Sequence, residues 1–473
     1  MTASPMVRAC CFALLLLTYS VTTLPAQSYS ATNGSSKDAN SMLAWEKTWG
    51  WNDEAEALGV ASSERGDICV AGYHTGQVKG RVDAFLLKFS PDGSLAWQRT
   101  WRWNDFADAW GVAVAQDGGI YVTGMNLLPN DRSAAYLVKF SADGRLVWQR
   151  AWGWARITGA HGVAVGDDSS VYVTGVTGDE AYEAFLLKFS PDGELKWQRT
   201  WASEDGGIGN GGGRSVAVAS DGSIYVTGGS AFLAKLAPDG GLVWHKRWRA
   251  GDWNNAHSVA VSSDGSIYTT GFVGQKVLLL KFLANGTLAW LREWTGGDLN
   301  AVAYGVAVSK YDEIYVAGQT GPISIPLLLK FFADGTLAWQ NAVQGYNSRA
   351  WAVVSGENSV YFVGGVFTGG SIGQLQPLSG KLEQPANVSL SSSFDILNTP
   401  SGSAGSPFGT LNMTNKSPIF GRQGAFLLKI SEHLSVIPAQ PEWLGANLSY
   451  LIGLVVIFVI GVGVLARKLR SRG

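Results

Sequence analysis

A repeat of about fifty residues runs through most of this chain, and it limits the possible folds more than any other feature. The segment AFLLKFSPDGSLAWQRTW at 84–101 returns as AYLVKFSADGRLVWQRAW at 135–152 and as AFLLKFSPDGELKWQRTW at 184–201. Each unit has one anchor tryptophan, and the anchors follow one another at intervals of 46 to 52 residues. The seven anchors are Trp45, Trp97, Trp148, Trp197, Trp244, Trp290 and Trp339. A period of this length is typical of solenoids and propellers.

A second pattern, GVAVAQDGGIYVTG at 111–124, lies between successive anchors. It adds two short apolar runs to the two of the anchor segment, so each unit contains four. Its tyrosine, replaced by Cys69 in the first unit, stands ten residues after the start of the first run in every unit. We therefore expect the first two runs and their turn to have one length throughout. Asp-Gly or Asn-Gly pairs join the last two runs, and glycine accepts the positive φ of tight hairpins. Four antiparallel strands per unit, repeated seven times, predict an all-β fold, a seven-bladed β-propeller.

The seventh unit lacks one strand, while the chain has a spare strand at its start. The seventh unit contains runs at 350–354, 360–365 and 425–430, with an insertion at 367–424, and no tryptophan run follows. The run MLAWEKTW at 42–49 has no unit before it. We expect this N-terminal strand to complete the last blade, because closure of the ring removes exposed sheet edges. An open solenoid would leave the strand unpaired and ranks below a closed ring.

The units resemble the seven-bladed β-propeller (SBBP) repeat family. The resemblance rests on the runs GVAV, IYVTG, AFLLKF and DGxLxW in this fixed order, and it covers about Met42 to Ile430 with one interruption. It implies the propeller fold and a location on cell surfaces. It implies no reaction and no catalytic residues, since a fold does not by itself give a function.

The N-terminal end has the pattern of a secretory leader. Arg8 precedes an apolar run at 9–17, and small residues follow near a plausible cleavage point. These features predict a signal peptide over 1–26, with an uncleaved anchor as the alternative. A linker at 27–40 and the propeller at 41–430 follow. Cys69 is then the only cysteine of the mature chain, so no disulfide within the chain is expected.

The C-terminal end has the pattern of a membrane anchor. After a linker at 431–443, residues 444–466 carry no charge and are long enough, as a helix, to span a bilayer. The basic tail at 467–473 is expected to stay in the cytoplasm. The prediction is a single-pass protein of the cell membrane with the propeller outside. The step at 441–443 weakly resembles tails that sortase-like enzymes process, in which case the helix would be exchanged for another anchor.

The charge balance argues against nucleic acid as a partner. The formal net charge is −1 and charged residues make up 15% of the chain, whereas nucleic-acid binding needs a clustered basic face. The histidines and cysteines have no zinc-type spacing, and no cofactor is predicted. The recurring acids of the outer loops are interpreted as solvated side chains, and calcium binding is the alternative interpretation. The acids concerned are Asp53, Asp105, Asp252 and Asp298.

Residues that differ between units are the candidates for function, since residues shared by every unit serve the fold. The repeated tryptophans, the Asp-Gly turns and the lysine of each AFLLKF run are therefore interpreted as structural. One position, directly before the first run and at the outward mouth of the channel, does vary. Its occupants are Leu58, Trp110, His161, Arg214, His257, Tyr304 and Ala350. Tryptophan, histidine, arginine and tyrosine in one ring predict a site for a polar ligand such as a sugar. The alternative is a miscellaneous collar of loop residues.

The predicted function is a membrane-anchored surface module for binding or adhesion, with glycan or protein partners. The binding candidates are Trp110, His161, Arg214, His257 and Tyr304. A structural component of the cell envelope and an extracellular hydrolase or lyase with its site at the channel mouth are the alternatives, and no catalytic residue is predicted. We interpret the insertion at 367–424 as a glycosylated arm on the variable face. The glycosylation candidates are Asn387, Asn412 and Asn285.

Overall fold

The structure, a computed structural model, consists of β-strands that recur with the period of the sequence repeat. The described residues are 42–50, 54–75, 81–128, 131–179, 182–202, 211–249, 254–296, 300–378, 380–383, 389–391, 412–414, 419–420 and 424–431. Their regular structure is β-strand, and no helix among them is long and apolar enough to cross a membrane. The predicted signal peptide (1–26), linker (27–40), membrane helix (444–466) and basic tail (467–473) lie outside the described residues.

After β1 (Leu43–Gly50), the chain forms successive units of four antiparallel strands that pair in chain order, which we call blades. The strands of blades 1 to 3 are β2 (Ala55–Ser62), β3 (Ile68–Thr75), β4 (Val82–Phe89), β5 (Leu95–Arg102), β6 (Ala107–Val114), β7 (Ile120–Leu128), β8 (Arg132–Phe140), β9 (Leu146–Trp152), β10 (Ile157–Val165), β11 (Val171–Gly178), β12 (Glu183–Phe189) and β13 (Leu195–Ala202). The strands of blades 4 to 6 are β14 (Gly213–Val218), β15 (Ile224–Gly228), β16 (Phe232–Leu236), β17 (Leu242–Arg249), β18 (Asn254–Val261), β19 (Ile267–Val273), β20 (Lys276–Phe282), β21 (Leu288–Thr295), β22 (Ala301–Val308), β23 (Ile314–Thr320), β24 (Ile325–Phe331) and β25 (Leu337–Ser355). The remaining strands are β26 (Ser359–Pro377), β27 (Lys381–Glu383), β28 (Ser389–Ser391), β29 (Asn412–Thr414), β30 (Ile419–Phe420) and β31 (Ala425–Ser431).

The last blade is assembled from both ends of the described chain. Its strands are the second half of β25, the first half of β26, then β31, and finally β1. Strand β1 pairs antiparallel with β31, with Trp45 opposite Lys429 and Trp49 opposite Ala425. The prediction that residues 42–49 pair with the last strand is confirmed. In the other blades a hairpin turn joins the last two strands, whereas in blade 7 the backbone hydrogen bonds of β1 hold this strand in place without a turn.

The innermost strands of the blades contact one another in a closed circuit. This circuit runs from β2 through β6, β10, β14, β18 and β22 to β25, and β25 contacts β2 again. A cavity lined by all these strands lies inside it. The predicted all-β fold is confirmed, and its antiparallel sheets of four or five strands are consistent with a β-propeller.

One set of donors ties each blade to the next. Between blades 2 and 3, the indole Nε1 of Trp148 donates to the Pro191 carbonyl at 3.1 Å, and Lys139 Nζ donates to the same oxygen at 3.2 Å. Arg150 Nε donates to the Gly193 carbonyl at 2.7 Å. These acceptors lie in the Asp-Gly turn of the following blade. The contact recurs between other consecutive blades from the anchors Trp97, Trp197, Trp244 and Trp290. The structural interpretation of the repeated tryptophans and lysines is therefore confirmed.

The two joints beside blade 7 differ from the others because its last strand comes from the N-terminus. Towards blade 1, Lys429 Nζ donates to the Pro91 carbonyl at 2.9 Å, which repeats the usual contact. Towards blade 6, no Asp-Gly turn exists, because β31 and β1 are not consecutive in the chain. Within blade 7, the backbone of Ser431 donates to the Met42 carbonyl at 2.9 Å, where the other blades have the turn. Trp339 and Met42 pack against one hydrophobic cluster at this joint. Both joints therefore depend on the noncovalent pairing of β1.

The glycine of each Asp-Gly turn is required for two reasons, its positive φ and its short distance from a side chain of the preceding blade. Gly193 has φ +84°, and a Cβ on it would lie 2.9 Å from the Trp148 ring of the preceding blade. A side chain at this position would therefore strain the turn and push apart two blades. Gly93, Gly144, Gly240 and Gly286 meet the preceding anchor tryptophan in the same way.

The described parts of the insertion lie along the outer edges of the blades, and we call them the edge belt (the distal part of β26 together with β27, β28, β29 and β30). The distal part of β26 pairs with the outer strand of blade 6, β27 with β21 of blade 5, and β28 with β17 of blade 4. Further along the chain, β29 pairs with β5 of blade 1 and β30 with β1 of blade 7. The expectation of an arm on the variable face is therefore corrected for these segments. Open outer strands offer unpaired backbone groups, which an added strand satisfies.

We expect deletion of Met42–Trp49 to abolish cooperative folding, because it removes the fourth strand of blade 7 and both of its joints. The measurement is thermal unfolding followed by tryptophan fluorescence on the full chain, together with limited proteolysis. Deletion of Ser28–Ser35, which has the same length and leaves β1 intact, is the matched control. An unchanged melting temperature for the first deletion would contradict closure by β1.

We expect Gly193→Ala to destabilise the protein by about 1–3 kcal/mol more than Gly274→Ala. Both glycines have positive φ, but the space around Gly274 is open, with φ +56° and no atom within 4 Å of an added Cβ. The difference between the two variants therefore isolates the contact with Trp148 from the backbone strain. Chemical unfolding with urea measures it, and equal losses would show that the turn and the tryptophan are not coupled.

Candidate functional site

Every innermost strand has a β-bulge at the same place, and the bulge residues together form a ring that we call the collar. In β6 the register shifts between Ala109 and Gly111, which leaves Trp110 as the extra residue. A bulge redirects a side chain out of the regular alternation of a strand. The seven collar residues, all of which line the central cavity, are Leu58, Trp110, His161, Arg214, His257, Tyr304 and Trp351.

The structure brings the five predicted binding candidates together, and it corrects the description of the ring in two respects. The collar residues lie within the first strands rather than before them. The seventh member is Trp351 and not Ala350, which is fully buried in the core. The cause is a shorter turn in blade 7, where Val354 pairs with Tyr361 while Ala113 pairs with Tyr121 in blade 2. The predicted constant length of this hairpin is therefore wrong in the last blade.

A signal for Trp351 was present in the sequence. The position after the collar residue is Gly or Ser in blades 1 to 6, whereas a constant offset of ten assigns Trp351 to it in blade 7. A shift of the alignment by one residue restores a small residue, Ala352, at that position. The large side chain of Trp351, at a position otherwise occupied by Gly or Ser, thus indicates that the turn of blade 7 is one residue shorter.

The cavity inside the collar has a volume of about 720 Å³. Its wall below the collar is made of glycine, serine, alanine and valine residues of the first strands. Among the described residues that line it, Arg214 is the only one with a permanent charge, and none is acidic. This size suits a ligand of one to a few sugar rings, since ligand pockets commonly measure 300–1,000 Å³.

Aromatic rings form a continuous arc around most of the collar. Tyr304 lies 4.4 Å from Trp351 between ring centroids, and His257 stacks on Tyr304 at 5.2 Å with 21° between the planes. Trp110 lies 6.3 Å from Trp351 across blade 1 and 5.5 Å from His161 on its other side. The arc leaves Arg214 between its two histidine ends, and flat apolar faces therefore border the cavity on the side opposite the arginine.

Buried carboxylates hold the two tryptophans of the collar. Trp110 Nε1 donates to Asp108 Oδ2 at 2.8 Å, and Trp351 Nε1 donates to Glu56 Oε2 at 2.7 Å. Glu56 also accepts from the Tyr73 hydroxyl at 2.7 Å. Burial raises the pKa of Asp108 to about 7 and raises the pKa of Glu56 as well. Because the indole N–H groups are engaged behind the rings, the tryptophans offer faces rather than donors to a ligand.

The two histidines are neutral hydrogen-bond acceptors at neutral pH. His161 Nδ1 lies 3.0 Å from the Gly213 carbonyl, and His257 Nδ1 lies 2.8 Å from the Ala303 carbonyl. A carbonyl oxygen only accepts, so Nδ1 carries the proton and Nε2 keeps its lone pair. Burial, and next the charge of Arg214, lower the pKa of His161 to about 3 and of His257 to about 4.

The other predicted sites are placed as follows. Asn285 is exposed in the turn of blade 5, where its Oδ1 accepts from the Thr287 backbone at 3.0 Å. Asn412 begins β29, and Asn387 lies outside the described residues. Of the loop acids, Asp105 pairs with Arg81 at 3.2 Å, while Asp53, Asp252 and Asp298 lie outside the described residues. No group of metal-ligating side chains occurs within the described part of the chain.

No family model and no curated protein matches this chain. Solved structures do match. A protein of unknown function from Bacteroides caccae is 13% identical with a TM-score of 0.37, over 57% of this chain and 93% of that one. A protein from Lactobacillus plantarum is 16% identical with a TM-score of 0.42, over 60% and 83%. Sqt1 from Chaetomium thermophilum is 13% identical with a TM-score of 0.39, over 67% and 96%.

These similarities carry no information about a ligand or an activity at such identities and TM-scores. Of what the resemblance to the SBBP repeat family implied, the sheets of the structure support an all-β, propeller-like fold. The functional interpretation depends on the collar.

We expect the two collar histidines to lower the stability of the protein between pH 6.5 and pH 5. At these two residues the unfolded chain takes up protons over this range while the folded state does not, since both folded pKa values are lowered. Their stabilisation is fully present above the unfolded pKa, and the loss by pH 5 amounts to roughly 2 kcal/mol per histidine. Asp108 opposes this loss, because its raised pKa of about 7 lets the folded state take up a proton over the same range, and the comparison with a variant that keeps Asp108 isolates the histidines. The double variant His161→Gln/His257→Gln should lose less stability over this range in urea titrations. His74 and His245 remain in both proteins, and parallel pH profiles would contradict the prediction.

Proposed function

We propose that this chain is a membrane-anchored protein of the cell surface that binds a carbohydrate in the central cavity of a seven-bladed β-propeller closed by its own N-terminal strand. The signal peptide at 1–26 and the membrane helix at 444–466 belong to this proposal. The observation that carries it is the collar, in which seven bulges aim seven side chains of five residue types into one cavity. The rest of each blade repeats, so this ring is where the blades differ in chemistry.

The chemistry of the collar fits a sugar. The apolar face of a sugar ring packs on tryptophan and tyrosine faces, and Trp110, Trp351 and Tyr304 supply three such faces. Sugar hydroxyls need fixed acceptors and donors, which the histidine Nε2 atoms and the Tyr304 hydroxyl provide. Each of the two tryptophans and two histidines is held by a hydrogen bond to a neighbouring group, so little side-chain freedom remains to be lost on binding.

The hydrogen bonding of the two nearby carboxylates, Asp108 and Glu56, favours binding of a sugar over its hydrolysis. Glycoside hydrolysis requires a pair of acidic groups on either side of the bond that is cleaved. Asp108 and Glu56 instead accept hydrogen bonds from the collar tryptophans, and Asp108 also accepts from the Met125 backbone at 2.8 Å. These acids therefore position the rings, and the cavity is better suited to holding a sugar than to cleaving one.

We expect Trp110→Leu and Trp351→Leu each to weaken glycan binding about tenfold, which corresponds to the loss of one stacking face. The measurement is a glycan array with the full chain in detergent micelles, followed by titration calorimetry on the best ligand. Tyr311→Leu, which removes an exposed aromatic side chain outside the cavity, is the matched control.

The outcomes separate the candidate functions. Binding that is unchanged in both collar variants, or equally reduced in Tyr311→Leu, would place the ligand elsewhere on the surface. Absence of binding to every glycan would overturn the carbohydrate ligand and favour a structural role in the cell envelope. Melting temperatures of all three variants must be compared with the unsubstituted protein, since a shared decrease would indicate unfolding rather than a lost contact.

A further inference from the structure

Arg214 differs from the repeated arginines of the blades because its guanidinium has no partner among the described residues. Arg99, Arg150, Arg199 and Arg292 each donate to a carbonyl of the following blade, and Arg102 pairs with Asp83 at 3.0 Å. No described residue gives Arg214 a hydrogen bond or an ion pair, although it projects into the cavity from the bulge of β14. Burial lowers the pKa of Arg214, and a guanidinium nevertheless stays charged. An uncompensated cation in a partly buried site destabilises a protein unless something else pairs with it.

Directly below the collar, the hydroxyl groups of the cavity wall lie on the side of Arg214. Ser62 and Ser355 also line the cavity, at the far ends of the inner strands of blades 1 and 7, and their hydroxyls donate to backbone carbonyls at 3.2 and 3.3 Å. The position after the collar residue is serine only in blades 4 and 5, as Ser215 and Ser258, and glycine or alanine elsewhere. Ser215 Oγ accepts from the Val259 backbone at 3.3 Å, and Ser258 Oγ accepts from the Val306 backbone at 3.1 Å. Because both oxygens already act as acceptors for the protein, their hydrogens are available to an acceptor in the cavity.

The cavity is thus polarised across its width. At and directly below the collar, blades 4 and 5 supply two hydroxyl donors and a guanidinium that pairs with no described residue, and blades 7, 1 and 2 supply Trp351, Leu58 and Trp110 on the opposite side. A planar guanidinium binds a carboxylate with two parallel hydrogen bonds, which makes an anionic group the natural partner of this side. The aromatic side favours a ring attached to that anion.

The histidines on either side of Arg214 distinguish between anions. His161 and His257 keep lone pairs on Nε2, which repel the many acceptor oxygens of a phosphate or sulfate but accept from hydroxyl groups. A single carboxylate with hydroxyl groups on neighbouring carbons satisfies the arginine, the serines and the histidines together. This combination of groups occurs in sugar acids.

We infer that the central cavity recognises a sugar that carries a carboxylate, with Arg214 as the carboxylate anchor and the serine hydroxyls of blades 4 and 5 as additional donors. The inference rests on the proposed carbohydrate-binding function and names the chemical class of its ligand. Arg214 sets the specificity, and the tryptophans supply affinity for the ring whatever its charge.

The test compares D-glucuronate with D-glucose, which have the same ring and differ in the carboxylate, by calorimetry on the full chain in detergent micelles at fixed ionic strength. We expect glucuronate to bind at least tenfold more tightly. Arg214→Gln should remove this preference and leave the glucose affinity within about threefold, and Arg214→Lys should restore part of it. Arg145→Gln, which removes an exposed surface arginine, should change neither affinity.

The possible failures are distinguishable. Equal affinity for the two sugars, or a preference that survives in Arg214→Gln, would overturn the inference and leave carbohydrate binding intact. Tighter binding of glucose 6-phosphate or glucose 6-sulfate than of glucuronate would overturn the carboxylate class. Absence of binding by all four sugars would overturn the inference, and the proposed function falls with it only if every glycan on the array also fails to bind. Arg214→Gln should melt no lower than the unsubstituted protein, because it removes an unpaired cation, and this measurement guards against misfolding.

Discussion

The pairing of β1 with β31 is the contact on which the rest of the structure depends. Each blade is tied to the next by donors from its outer strands to the following turn, and these ties add up to a ring only if the last blade is complete. Its fourth strand is separated from its third by almost the entire chain and is joined to it by noncovalent contacts, namely backbone hydrogen bonds and side-chain packing. Contacts between such distant segments form late and slowly in folding, because closing so long a loop costs conformational entropy first.

Ring closure also creates the cavity. A single blade buries neither side of its sheet, and it offers only one bulge residue towards the centre. When the circuit of inner strands closes, seven residues that are about fifty positions apart in the chain meet around one volume of about 720 Å³. Each repeat therefore has two zones. The outer joints make similar contacts in successive blades and stabilise the fold, whereas the inner bulges carry side chains that vary between blades and line the cavity.

The electrostatics of the two zones follow the same division. At the joints, each lysine has several partners: Lys88 lies 2.9 Å from Asp67 and donates to the Ala142 carbonyl, and Lys139 lies 5.1 Å over the Tyr121 ring. At the collar, the carboxylates are turned towards tryptophan N–H groups, and no described residue pairs with Arg214. Charges that are satisfied in every repeat stabilise the fold, and an arginine that projects unpaired into the cavity points to a ligand.

The strand pattern, the blade count and the completion of blade 7 could be read from the sequence, because tight turns and alternating apolar runs are local signals and the repeat multiplies them. That the five binding candidates share one ring could also be predicted there, since comparison between units separates singular residues from shared ones. The sequence did not reveal that these residues are bulges, that Trp351 replaces Ala350, or that the described parts of the insertion at 367–424 follow the outer edges. These features depend on strand register and on pairing between segments that are distant in the chain. The sequence likewise does not show that Arg214 has no partner among the described residues, because the neighbours of this side chain are decided only when the ring closes.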